Sequence, residues 1–120
     1  MTQLTEIKAS LSRTIELAQA ATPGEWMSYA SDGFPVVCER NGAPGVDAVA
    51  SCKMNRPKEE QCGNAAHIAN ACNTSERSAR ALLAAIEHNE ECLKSFNPNI
   101  KADATVCLEA IIAAWQEAWQ

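Results

Sequence analysis

The side chains able to do chemistry in this sequence are chiefly thiols and imidazoles: Cys38, Cys52, Cys62, Cys72, Cys92 and Cys107, with His67 and His88. Both groups bind metals and act as nucleophile and base, so their spacing decides what they could do. No two cysteines stand closer than ten residues, which excludes the C-x-x-C pairs of zinc ribbons and thiol–disulfide motifs. Cys62, His67 and Cys72 advance in steps of five, and each such step turns a helical side chain by about 140°. The three groups splay apart, so neither a metal ligand set nor another cofactor site is expected. His88 and Cys92 stand four apart, the spacing of neighbours on one helix face and the relation a thiol and its base require. Measured from Ile86 as the core direction, however, His88 lies about 200° round the helix, a solvent position with no cleft. Gly42 and Gly45 flank Pro44 without a following helix start, so they form no phosphate loop. No catalytic residue is expected, and the chain does not read as an enzyme.

Binding chemistry is a different matter. Glu87, Glu90 and Glu91 cluster within one predicted helix, an acidic face either for a partner or for solvent. Glu90→Lys94 and Glu76→Arg80 offer favourable pairs four residues apart on the same helix. Trp115 and Trp119 lie one turn apart near the last residue, where large aromatics either close a core or anchor a partner. The segment from Pro98 to Gln120 is therefore the preferred interface, with a second copy of the chain or with another protein.

Periodicity supplies the elements that would position these residues. Leu4, Ile7, Leu11, Ile15 and Ala18 recur at helical steps, so a helix runs from Thr2 to Ala21. It ends at Thr22-Pro23-Gly24, where proline restricts the residue before it and glycine admits a reversal. The period then changes from 3.6 to 2. Trp26–Ser31, Phe34–Arg40 and Val46–Met54 read as strands of an antiparallel meander joined by Asp32-Gly33 and Asn41–Gly45, with Cys38 and Cys52 facing the core. Pro35 belongs near a strand start or on an unpaired edge. A polar loop leads to a short helix around Ala65–Cys72, broken at Asn73-Thr74-Ser75. A third helix follows to Ser95, and Asn97-Pro98 opens a fourth. The expected fold is α+β: an N-terminal helix, a three-stranded meander, then three helices packed on the sheet.

The chain of 120 residues is sized for a single domain over 1–120, and a 47% hydrophobic composition can fill its interior. A net charge of −5 repels a phosphate backbone, arguing against direct nucleic-acid binding. No apolar run approaches the ~20 residues of a membrane span, and the first residues lack a signal-peptide layout. A cytoplasmic location is expected.

Ala21-Thr22-Pro23-Gly24-Glu25-Trp26 after an amphipathic helix resembles the ATPGPW opening of the ead-like early-region family of small phage and prophage accessory proteins. Val49-Ala50, then Asn64-Ala65-Ala66-His67-Ile68-Ala69, then Ala81–Glu87 follow in that family's order, so the resemblance covers Leu4 to Glu87. Glu25 and His67 depart from it, Asn73–Ser78 looks like an insertion, and residues 98–120 form an additional helix. Its motif residues, Thr22, Pro23, Gly24, Trp26, Asn64, Ala65 and Ile68, are read as structural. The resemblance implies an accessory protein acting in a bacterial host. The expected function is a non-catalytic binding module that inhibits a host defence protein, in the manner of an anti-CRISPR protein. The alternatives are a small-molecule or nucleotide-signal binder and a structural phage protein. For a cytoplasmic chain with thiols on or beside apolar faces, titration after denaturation without reductant should return six free thiols; four or fewer would contradict the cytoplasmic assignment.

Overall fold

The computed structural model describes residues 2–21, 24–31, 34–39, 50–52 and 57–118. Its class is α+β and mostly helical, with an antiparallel sheet. In chain order the elements are α1 (Thr2–Ala20), β1 (Trp26–Ser31), β2 (Phe34–Glu39), β3 (Ala50–Ser51), α2 (Lys58–Cys92) and α3 (Pro98–Ala118). They form two compact units, one of Leu17–Arg77 and one of Met1–Glu16 with Ser78–Gln120.

The second of these units is helical. Leu4, Ile7 and Leu11 of α1 realise the sequence periodicity and are buried with Ala79 and Ile86 of α2 and Leu108 and Ile112 of α3. Ile15, Leu82, Leu83, Leu93, Ile111 and Trp115 pack around them. Lys8 reaches Glu90 at 2.8 Å, joining α1 to α2 beside this core. Asn97 opens α3 as its sequence implies: the Asn99 N–H donates to Asn97 Oδ1 at 2.9 Å, with Pro98 in the first helical position, where a missing N–H costs nothing.

The other unit sets α2 against a sheet of order β1-β2-β3. Trp26 pairs with Glu39 and Ser28 with Val37, so by strand alternation Trp26, Ser28 and Val37 share one sheet face. Val37, Trp26, Ala50 and Cys52 pack from that face against Ala65, Ile68 and Ala69 of α2. Pro35 sits second in β2, and its carbonyl still accepts from the Cys52 N–H at 2.9 Å. Gly24, between α1 and β1, has φ 110°, a left-handed conformation that disfavours any side chain.

Several expectations are corrected. The short and third helices are one: α2 runs unbroken through Asn73-Thr74-Ser75. Thr74 Oγ1 turns back to the Asn70 carbonyl at 2.8 Å, so it does not cap a new helix. Asn73 faces the sheet, where Trp26 N–H donates to its Oδ1 at 2.7 Å and its Nδ2 donates to the Trp26 carbonyl at 2.8 Å. Among the described residues there are three helices where four were expected, and α3 buries its apolar residues with those of α1 and α2. In β2, Pro35, Val36, Val37 and Cys38 are all buried. The strand expected over Val46–Met54 is represented by Ala50–Ser51, paired with Val37 and Val36. Residues 46–49 and 53–54, and the turns at Asp32-Gly33 and Asn41–Gly45, lie outside the described residues.

Removing the Asn73 amide leaves a part-buried N–H and carbonyl of Trp26 without their partners, a loss worth about 2–3 kcal/mol. Asn73→Ala should lower unfolding free energy by that amount in urea titration, whereas the exposed Thr74→Ala should change it by no more than about 0.5 kcal/mol.

Candidate functional site

The residues singled out in the sequence separate into a packed group and a surface group. Trp26, Ala65 and Ile68 come together in the cluster beneath the sheet. Ala65 is wholly buried, and its small side chain lets the helix approach the strands closely. Gly24 makes the reversal before them. These motif residues build structure. Asn64 is on the exposed side of α2, and Thr22 and Pro23 lie outside the described residues.

The acidic cluster divides by its ion-pair partners. Glu90 is held by Lys8 across two helices at 2.8 Å, both side chains being about one-third exposed. Lys94 reaches Glu91 at 3.1 Å, so the expected Glu90→Lys94 pairing gives way to these two. Glu87 and Glu91 are exposed. The i,i+3 pair of Glu91 and Lys94 is open to solvent and contributes little to stability.

Trp115 is half-buried and packs against the core shared by the three helices. Trp119 lies outside the described residues. The outward apolar surface is elsewhere on α3 and in the turn before it: Phe96 is fully exposed, Ile100 is 43% exposed and Val106 is 65% exposed. Ile100 stands one turn before the buried Ala104. Sequence reading missed Phe96 because a single aromatic in a turn carries no periodic signal. Val106 was legible, being two residues from both Ala104 and Leu108, which are buried; that offset directs it about 160–200° away from them.

Among the thiols, Cys38 and Cys52 are buried, Cys62, Cys72 and Cys107 exposed, and Cys92 half-buried. Cys62 lines a depression of about 70 Å³ with Ser28, Tyr29, Pro35 and Ala65. Pockets that hold a nucleotide-sized ligand run to roughly 300–1,000 Å³, so this one is too small to favour the small-molecule alternative. Cys92 Sγ lies 3.7 Å from His88 Nε2, which realises the i,i+4 neighbourhood. Among the described residues no helix is long and apolar enough to cross a membrane.

Compared with protein-family models, curated proteins and solved structures, the chain matches none.

The packing of Trp115 and the exposure of Val106 give opposite expectations for truncation. Trp115→Ala should destabilise by about 2–3 kcal/mol, below the 3–5 of a fully buried ring, while Val106→Ala should stay within about 0.5 kcal/mol. Urea unfolding of the two variants checks both values.

Proposed function

We propose that this chain is a phage or prophage accessory protein of the ead-like kind, acting in the cytoplasm of a bacterial host as a non-catalytic binding module. Its target is a host protein, of the antiviral defence class, which it inhibits by occupying a surface. The observation that carries this reading is the exposure of three large apolar side chains, Phe96 in the turn before α3 and Ile100 and Val106 on it. Large apolar side chains left open to water are a feature of protein interfaces, and the residues around them are typically polar. Here the acidic Glu87 and Glu91 stand exposed on the preceding turns of α2.

Charge supports the same reading. The net −5 of the chain and its exposed carboxylates favour encounter with a basic surface, speeding association without needing any base-specific contact. Defence proteins that handle nucleic acid present such surfaces, and an acidic protein covering one competes with the phosphate backbone. The resemblance from Leu4 to Glu87 covers the scaffold, whereas α3, an addition to it, carries Ile100 and Val106.

Affinity capture from host lysate with the tagged chain, read by mass spectrometry, tests the proposal when run beside Val106→Asp and Phe96→Ser. Both positions are exposed, so both variants should fold as the parent does. A host protein retained by the parent and lost from both variants is the expected result; capture that neither substitution alters would contradict an interface at α3.

A further inference from the structure

We infer that His88 and Cys92 form a surface chelate for a soft divalent cation of the zinc class, independent of the apolar surface proposed as the interface. The two residues close the last turn of α2, and Cys92 Sγ stands 3.7 Å from His88 Nε2. Zinc takes thiolate at about 2.3 Å and imidazole nitrogen at about 2.0–2.1 Å; at a tetrahedral angle those bonds set sulfur and nitrogen about 3.5–3.6 Å apart. The separation on the helix therefore matches the bite of one metal ion. Little rearrangement is needed, because i,i+4 side chains on one helix are held as neighbours by the backbone itself.

The surroundings favour a cation. The helix ends at Cys92, and the dipole of a helix places partial negative charge at its C-terminal end. Glu87 is exposed one residue before His88 and adds negative potential near the site, while Glu91 is paired with Lys94. His88 is exposed and Cys92 half-buried, so a hydrated ion can reach both and keep water in its remaining positions. A mixed sulfur and nitrogen donor set selects zinc, cobalt and cadmium over magnesium or calcium, which require oxygen.

Binding is a ligand exchange without redox change. The Cys92 thiol loses its proton to solvent as the sulfur–metal bond forms, and neutral His88 gives the Nε2 lone pair in the tautomer that keeps its proton on Nδ1. The hydrated ion sheds water as it becomes tetrahedral and keeps two waters beside the sulfur and the nitrogen.

The probe is cobalt(II) titrated into the reduced full chain bearing Cys62→Ser, Cys72→Ser and Cys107→Ser, three exposed positions whose replacement leaves Cys92 as the accessible thiol among the described cysteines. Thiolate-to-cobalt charge-transfer absorption saturating at one cobalt per chain, with one proton released, is expected. Adding Cys92→Ser should abolish the absorption. Adding His88→Ala should weaken binding by more than the roughly tenfold that loss of a merely supporting partner costs. Absence of charge-transfer absorption at millimolar cobalt, its survival in Cys92→Ser, or unchanged affinity in His88→Ala would each overturn the site. Since His88 is exposed, the last variant tests the chelate without disturbing the core.

Discussion

The side-chain amide of Asn73 holds the first strand to the long helix. Trp26 lies on the outer strand of the sheet, where a backbone N–H and carbonyl would otherwise face away from the ladder. An asparagine amide offers one acceptor and a donor in the same planar arrangement as a peptide group, and at 2.7 and 2.8 Å it takes the place of a missing neighbouring strand. Once Trp26 is pinned, its ring is committed to the cluster with Val37, Ala65 and Ile68. The strand register then follows: Trp26 opposite Glu39 places Ser28 opposite Val37, and Val37 enters the α2 face wholly buried. Asparagine is a poor residue for a helix interior, and this contact is the reason one stands there.

That interaction also marks where the sequence stops being readable. Elements set by local patterns were legible: the steps of Leu4, Ile7 and Leu11, the Asn97-Pro98 helix opening, the left-handed glycine after α1, and the strand composition around Val36–Cys38. Elements set by distant residues were not. Asn73-Thr74-Ser75 carries the composition of a helix end, yet Asn73 answers to a strand 47 residues away and Thr74 to its own helix. Glu90 has an attractive partner in Lys94 on the same helix but is claimed by Lys8, 82 residues earlier in the chain. The middle strand β2 buries Pro35 through Cys38 in succession, which the period of two does not signal.

The same division holds for the surface. Burial of Leu108, Ile112 and half of Trp115 explains why α3 is a helix of this bundle. It does not explain Phe96, Ile100 and Val106, which gain nothing from the fold while exposed to water. Apolar side chains that the core does not use are what the proposed binding surface requires, and they lie in the turn before α3 and on α3 itself. His88 and Cys92 are likewise unneeded by the core, and their geometry is a consequence of helix pitch alone.

Hydrogen exchange at the backbone amide of Trp26 tests the central contact most directly, because that single N–H reports whether Asn73 holds it. In the native chain the amide should exchange slowly. In Asn73→Ala it should exchange at close to the rate of an unprotected amide, while that of Leu108, in the separate helical core, stays protected. A Trp26 amide that exchanges freely in the native chain, or equally slowly in both, would contradict the account.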